Sequence, residues 1–477
     1  MAEDWSSAGV DLHLDWARTG RPARALADAL RAAIRSGQVR PGTIVPSTRA
    51  LAADLGLARG TVSGVYADLA AEGYLTIRHG APTRVAAGLH PRPRRTVPAA
   101  VVTREAPPRW NLMPGQPDMS AFPRAAWLAA TRRVMTSAAT ESLGYVDPLG
   151  HPELRRTLAG YLRRTRGVLA EPEQVVVGAG FAHLLAWWAH VARARGVRTV
   201  AFENPSLDAL RAVAAGSGLR IAGVDVDDEG IRVSEIDAPA VVITPAHQYP
   251  LGVTLGPARR AALVRRAVEN GLLVLEDDYD GEFRFDRRPV GALQAMAPEH
   301  VAYAGTTSKT LAPGLRLAWL VVPQRLLREF RDAAPALGER HPSAIDQLVL
   351  ADLIETGAYD RHVRRMRASY RRRRDRVLAA VDPGLVRPDG IAAGLHLVMQ
   401  FPPGGPDDAM IIRAAKRHSL AIGLLSPNWI DPAGRPSGLV VGFAAPADHA
   451  FTPTLEALDS MLTGLESSES SESSPQH

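Results

Sequence analysis

Cysteine is absent from the 477 residues. Disulfides, thiolate metal sites and a cysteine nucleophile are excluded with it. Lysine is nearly absent as well. It occurs only at Lys309 and Lys416, so arginine carries almost all the positive charge behind the formal net charge of +6. Codon usage accounts for such scarcity, yet the scarcity isolates Lys309 in a stretch of small, uncharged residues. Also missing is any run near the roughly 18 to 20 uninterrupted apolar residues that a membrane-spanning helix needs. Glu3, Asp4 and Trp5 do not read as the start of a signal peptide. No membrane partner and a cytoplasmic location are therefore expected. What is present is 46% apolar residues in a chain too long for one ordinary core, so a small module plus a larger domain is expected.

Between Arg21 and Gln38 the apolar residues Leu26, Leu30 and Ile34 recur every fourth position, one face of an amphipathic helix that Pro41 and Gly42 end. Ser47 is an N-cap candidate for a short helix through Leu55, and Gly56 supplies a turn. A second helix is expected from about Arg59 to Ala71, burying Val62, Tyr66 and Leu69 and exposing Arg59, Thr61 and Ser63. Gly73 closes it. The stretch from Tyr74 to Val85 alternates around His79-Gly80 as a two-stranded hairpin does. Two short helices joined by a tight turn, the second with a polar and basic face, can lay that helix in a major groove of double-stranded DNA. The bland alternative is a helical hairpin with a solvated basic face. The run Pro41-Gly42, Pro46-Ser47-Thr48-Arg49, Leu51-Ala52, Leu55-Gly56, Arg59, Thr61-Val62, Tyr66, Leu69 and Glu72-Gly73-Tyr74-Leu75 resembles the winged helix-turn-helix of the GntR regulators along its whole length. The resemblance implies an operator in double-stranded DNA, with Ser47, Arg49, Arg59, Thr61, Arg78 and His79 as its contacts. A guanidinium can hold a phosphate or a guanine edge in a bidentate fork. The wing departs from the family pattern at Ala81, Pro82 and Arg84.

Pro91, Pro93, Pro98, Pro107 and Pro108, with several arginines and no periodicity, mark a linker. Strand-like runs then follow at Gln174 to Val177, Thr199 to Phe202, Ala240 to Ile243, Leu272 to Leu275 and Val301 to Ala304, separated by helix-length segments. That alternation is the mark of an α/β domain with a mostly parallel sheet. The expected boundaries are residues 11–86 for the DNA-binding domain, 87–109 for the linker, 110–464 for the large domain and 465–477 for a disordered serine and glutamate tail.

Lys309 follows one of these strands in Gly305-Thr306-Thr307-Ser308-Lys309-Thr310-Leu311-Ala312-Pro313-Gly314-Leu315-Arg316, and Glu276-Asp277-Asp278-Tyr279-Asp280 ends another. An apolar strand that runs into carboxylates commonly lines the ligand crevice of an α/β sheet. A lysine that can be kept unprotonated, an anion for a pyridinium nitrogen, and donors for a hydroxyl and a phosphate are what pyridoxal phosphate requires of a protein. Lys309 is the candidate for the amine, Asp277 for the ring nitrogen and Tyr279 for the hydroxyl. Thr306 and Arg316 would hold the phosphate together with the backbone of Gly178-Ala179-Gly180-Phe181-Ala182, where a strand turns into a helix N-terminus.

With Gly115-Gln116-Pro117-Asp118, Phe122-Pro123, Tyr145 to Gly150 and His247-Gln248-Tyr249-Pro250-Leu251-Gly252 added, the chain resembles the MocR/GabR-type subfamily of GntR regulators from about Arg21 to Ala445. The resemblance implies a fold-type I aminotransferase-like domain with a smaller C-terminal α+β subdomain, and bound pyridoxal phosphate. It further implies cofactor contacts at Gly180, Phe181, Ala182, His247 and Gln248, and a homodimer in a domain-swapped arrangement. Three positions depart from aminotransferases: Tyr249 where asparagine is usual, Leu207 where an aromatic stacks on the ring, and Val440 where an arginine binds a substrate carboxylate. Arg435 is a nearby substitute for that arginine. A regulator that senses pyridoxal phosphate or a small metabolite, with no catalytic and no metal-binding residue assigned, is therefore expected over an aminotransferase carrying a DNA-binding module. A cofactor-free dimerisation scaffold is the third reading. Some members of the subfamily control vitamin B6 synthesis.

Overall fold

The computed structural model describes residues 22–88, 107–285, 290–335 and 342–472. Residues 11–21 of the expected DNA-binding domain, the linker prolines Pro91, Pro93 and Pro98, and the end of the tail, 473–477, lie outside the described residues. The chain divides into two compact units, Met1–Ala106 and Pro107–His477.

The first unit holds helices Pro22–Arg35, Thr48–Leu55 and Arg59–Ala71 around a core of Leu26, Leu30, Ile34, Leu51, Val62, Tyr66 and Leu69. Ser47 accepts a hydrogen bond from the Ala50 N–H at 3.1 Å, satisfying one of the unpaired donors at a helix start. Gly56 ends that helix in the left-handed region at φ 66, where a Cβ is unfavourable. Strands Leu75–Thr76 and Arg84–Val85 pair antiparallel, Leu75 opposite Val85. The second of them is also tied to the segment before the first motif helix, because Val85 N–H donates to Thr43 O and Gly42 N–H to Val85 O, each at 2.9 Å.

The centre of the second unit is an eight-stranded sheet in the order Val175–Gly178, Ala318–Val321, Val301–Thr306, Leu273–Asp277, Ala240–Ile243, Thr199–Asn204, Arg220–Asp227, Gly230–Ile231. Neighbours from Val301–Thr306 to Arg220–Asp227 run parallel, while Ala318–Val321 runs against both of its neighbours. Side chains alternate between the two faces of such strands. Val242, Leu275, Ala304 and Leu320 thus share a core with helix Phe181–Ala194, while Val177, Tyr303, Trp319 and Val321 face helices Pro152–Arg166 and Ala344–Glu355.

A second sheet of five strands, in the order Arg387–Asp389, Leu397–Gln400, Gly438–Val441, Leu420–Leu424, Trp110–Leu112, forms the smaller C-terminal subdomain. Helix Ala358–Ala380 joins the two halves, with Tyr359 and Val363 in the core of the large half and Met366, Tyr370 and Val377 in that of the small one. The last helix, Asp448–Glu472, runs into the stretch expected to be a disordered tail. Among the described residues no helix is long and apolar enough to cross a membrane.

Candidate functional site

Five strands of the large sheet, Val175–Gly178, Val301–Thr306, Leu273–Asp277, Ala240–Ile243 and Thr199–Asn204, end at one edge, where α/β sheets bind their ligands. A cavity of about 310 Å³ opens there. Lining it are Lys309, Asp277, Tyr279, Thr306, Arg316, Phe181 and Ala182, along with Leu207 and Tyr249.

Asp277 reaches the cavity by strand alternation. Leu275 faces the core shared with helix Phe181–Ala194, so Asp277, two residues on, faces the same way. Its neighbours point elsewhere: Glu276 accepts from the Leu293 and Gln294 N–H groups at 2.8 and 2.9 Å. Asp278 is held by Arg166 at 2.6 and 3.0 Å and by the Tyr303 hydroxyl at 2.6 Å. Among the described residues Asp277 Oδ1 has no hydrogen-bond partner, although the residue is only 5% exposed. Burial first, then the Asp278 charge, holds its carboxyl well above the usual carboxylate range, against the pull of Lys309.

Lys309 donates to Gly115 O at 2.6 Å. Burial lowers the pKa of its ammonium, and Asp280 and Asp277 oppose that shift. Gly115 has φ +76, and a Cβ there would lie 3.0 Å from Lys309 Nζ, so glycine gives the amine its room.

The anion end is assembled by the antiparallel strand. Ala318 pairs with Thr306 on one side and with Gly178 on the other, which brings Arg316 beside the turn after Gly178. Arg316, at φ 53, donates from Nη2 to Ala179 O at 2.6 Å. Gly180, at φ +95, caps helix Phe181–Ala194, and a Cβ on it would meet Arg316 Nη2 at 2.5 Å. A guanidinium and the first turn of a helix therefore converge on one spot, an arrangement suited to a phosphate. Thr306 adds its hydroxyl, which also takes the Ser308 N–H at 3.1 Å.

Three residues expected in the site do not line the cavity: Gly180, which stands beside Arg316 at its anion end, Gln248 and His247. Gln248, 1% exposed, spends its amide N–H groups on Pro205 O and Tyr249 O at 2.8 and 2.7 Å and its oxygen on the Leu251 N–H. His247 lies behind Tyr279, its Nδ1 3.0 Å from the phenol oxygen. Arg435 does not substitute for the missing carboxylate clamp, since Asp225 holds it with two contacts at 3.0 Å and its guanidinium sits over Trp429. Val440 is buried in the small sheet with Val398 and Leu425.

Glu203 is a cavity residue that the sequence pattern did not bring forward. It lines the cavity, and its Oε2 accepts from the Thr244 N–H and hydroxyl at 3.0 and 2.5 Å. The signal that picks out Asp277, an acid ending an apolar strand, is also present in Val200-Ala201-Phe202-Glu203.

In the first unit Ser47, Arg49, Arg59, Arg78, His79 and Arg84 are exposed, whereas Thr61 is half-buried. Thr61 N–H donates to Ala58 O in the first turn of its helix, where side chains lean toward the preceding loop.

Residues 22–85 match the bacterial regulatory proteins of the gntR family, and residues 110–403 match aminotransferase class I and II. The HTH-type pyridoxine biosynthesis transcriptional regulator PdxR of Corynebacterium glutamicum is 33% identical over 88% of this chain and 91% of its own. The probable rhizopine catabolism regulatory protein MocR of Rhizobium meliloti is 32% identical over 93% of this chain and 94% of its own. An archaeal alanine:glyoxylate aminotransferase shares the fold of the second unit, with a TM-score of 0.68 at 24% identity over 74% of this chain and 91% of that one. A gntR-type helix-turn-helix ahead of an aminotransferase-fold domain, matched nearly end to end by named regulators, places this chain in the MocR-type family of GntR transcriptional regulators.

Proposed function

We propose that this regulator binds pyridoxal phosphate in the cavity and passes its occupancy on to an operator in double-stranded DNA. The observation that carries the reading is Asp277 Oδ1, a buried acceptor with no donor among the described residues, in the cavity that Lys309 also lines. An unpaired buried polar atom costs on the order of 1–3 kcal/mol, and the protonated ring nitrogen of the cofactor is a donor that would relieve it. Pyridoxal phosphate supplies, when bound, an aldehyde that a lysine amine takes up reversibly and a ring that withdraws electrons. Lys309, its basicity lowered by burial, would be that amine. Tyr279 would face the ring hydroxyl, and Arg316, Thr306 and the amides of Phe181 and Ala182 would hold the phosphate, with Gly180, its own N–H on Gly178 O at 2.9 Å, leaving room for Arg316.

Sensing is favoured over turnover by the charges around the cavity. Lys309 and Arg316 are the cations among its described lining residues, and the reading gives both to the cofactor. A substrate carboxylate would then lie without a partner in a largely apolar space, which is costly. The effector in this reading is pyridoxal phosphate itself or a ligand other than a simple amino acid. The Corynebacterium relative is named for pyridoxine biosynthesis, which supports control of vitamin B6 metabolism. On the DNA side the reading assigns Arg49 and Arg59, with Ser47, Thr61, Arg78 and His79, to the operator, and a domain-swapped homodimer to the assembly. Occupancy must favour one arrangement of the DNA-binding units, because a ligand that binds two states equally shifts nothing.

Titration of cofactor-free and cofactor-loaded protein against its own promoter, with a panel of amino acids, tests this. DNA affinity should follow cofactor loading and ignore the amino acids. Affinity that is indifferent to loading but changes several-fold with one amino acid would overturn it.

A further inference from the structure

Tyr279 has partners on the side away from the cavity. Its hydroxyl oxygen lies 3.0 Å from His247 Nδ1, which lies 2.9 Å from Asp280 Oδ2. His247 is 4% exposed and Asp280 3%, and neither lines the cavity. The Asp280 charge also acts on Lys309 and Asp277, so the part of the pair's effect that passes through Tyr279 is the part that removing the phenol abolishes. The two rings lie nearly parallel, 26° apart with centroids 6.0 Å apart.

A phenol has one proton to donate, and two places compete for it here. With its proton on Nδ1, the imidazole donates to the Asp280 carboxylate, a charge-assisted bond that fixes the tautomer and turns the ring edge toward Tyr279. The Tyr279 oxygen then lies against an N–H, and its own proton is left for the cavity. Without that N–H, the Tyr279 hydroxyl, within hydrogen-bond reach of Asp280, would turn its proton to that carboxylate. The carboxylate and imidazole thus decide which way the phenol proton points.

The imidazole has no room to give way. A Cβ at Gly394 would lie 2.2 Å from His247 Cε1 and 2.7 Å from Asp280 Oδ2, so this glycine's backbone packs flush against the pair, at φ +76. Gly394 is itself fastened by its N–H to Phe283 O at 2.8 Å, and the adjoining Phe285 N–H donates to Ala392 O at 2.8 Å. On its other side His247 meets the ring of His396 at 5.3 Å.

We infer that His247 and Asp280 are positioning residues that hold the Tyr279 hydroxyl proton toward the cavity, where it meets the ring oxygen of the cofactor. The inference rests on the pyridoxal phosphate reading. That reading is checked first and separately, by whether the wild-type protein takes up pyridoxal phosphate with a visible band that needs Lys309. If it does not, both readings fall, and the wild-type spectrum alone says so.

The test is a double-mutant cycle on the full chain, with the pyridoxal phosphate Kd and the ratio of the bound cofactor's near-ultraviolet and visible bands as readouts. His247→Leu should weaken binding about tenfold, the loss of roughly one well-placed hydrogen bond, and change the band ratio. His247→Asn, whose amide nitrogen stands near the place of Nδ1, should recover most of both. Asp280→Asn should shift the ratio in the same direction as His247→Leu. In a Tyr279→Phe background His247→Leu should cost less than about twofold, because nothing is left to position. Equal losses in both backgrounds, or a band ratio unmoved by either His247→Leu or Asp280→Asn, would overturn the inference. Should His247→Leu not fold, the same cycle run with Asp280→Asn decides it, because the Tyr279→Phe background cancels the direct effect of the Asp280 charge on Lys309.

Discussion

Replacing Glu203 with glutamine should make the cofactor-free protein more stable in alkaline solution and leave it unchanged in mild acid. Glu203 is 4% exposed, and Thr244 donates to one of its oxygens at 3.0 and 2.5 Å. Burial raises its pKa from the ordinary 4.5 to about 7, against the Thr244 bonds and a weaker one from Gln248. Between these values the folded chain keeps a proton that the unfolded chain has released. The unfolded state therefore binds fewer protons, and stability falls as pH rises through this window until the folded group ionises. The interval from 4.5 to about 7, at about 1.4 kcal/mol per pH unit, corresponds to ~3 kcal/mol lost by pH 8. Glutamine keeps the shape and the acceptor that Thr244 needs and has no proton to lose. Glu276 and Glu282, also raised to about 7 by burial, are present in both proteins and drop out of the difference. Urea unfolding of the two proteins between pH 4.5 and 8, followed by tryptophan fluorescence, should give curves that coincide at the acid end and diverge by ~3 kcal/mol at the other. A gap that is constant with pH, or no gap, would refute the argument that Glu203 is held as a neutral acid.

Borohydride reduction followed by peptide mapping should label Lys309, and label on Lys416 alone would refute the cofactor assignment. Gly180→Ala should weaken pyridoxal phosphate much more than pyridoxal, because the new Cβ would stand 2.5 Å from Arg316 Nη2 at the anion end; equal weakening of the two ligands would move the phosphate elsewhere. The backbone there, at φ 95 and ψ 163, should also lower stability by ~1–3 kcal/mol, read from the urea midpoint. Arg49→Ala and Arg59→Ala should weaken operator binding with cofactor absorbance intact. A lost phosphate contact lowers the salt slope by about one, while a lost base contact costs roughly 1–3 kcal/mol and relaxes sequence preference. Unchanged affinity in both variants would rule out this docking.

Features that depend on near neighbours in the chain are legible in the amino-acid sequence by itself. The N-cap at Ser47, the glycine turn at Gly56 and the buried stripe of Val62, Tyr66 and Leu69 need no more than helix periodicity and the unpaired amides of a helix start. The helix expected from Arg59 to Ala71 is found over those residues. Strand-like runs are legible as apolar blocks, but their ends are not: Leu272 to Leu275 proves to be Leu273–Asp277, carrying an acid into the cavity.

Tertiary structure decided whatever depends on which strand lies beside which. An acidic run such as Glu276 to Asp280 offers four carboxylates, and its order in the chain does not say which one is without a partner. Arg166, 112 residues away, takes Asp278, and Leu293 and Gln294 take Glu276. Arg435 looks like a free cation in the sequence, but Asp225, 210 residues earlier, holds it. Gln248 and His247 stand beside Tyr249 in the chain yet serve backbone carbonyls and Tyr279, because alternating side chains and a turn send neighbours to opposite sides. Composition and local pattern determined that this chain has a gntR-type DNA-binding module, a mostly parallel sheet and an isolated Lys309. Long-range pairing, above all the reversed strand Ala318–Val321 that carries Arg316 to Gly180, decided which of its charges meet, since a charge is committed by what stands within a few ångströms of it in space.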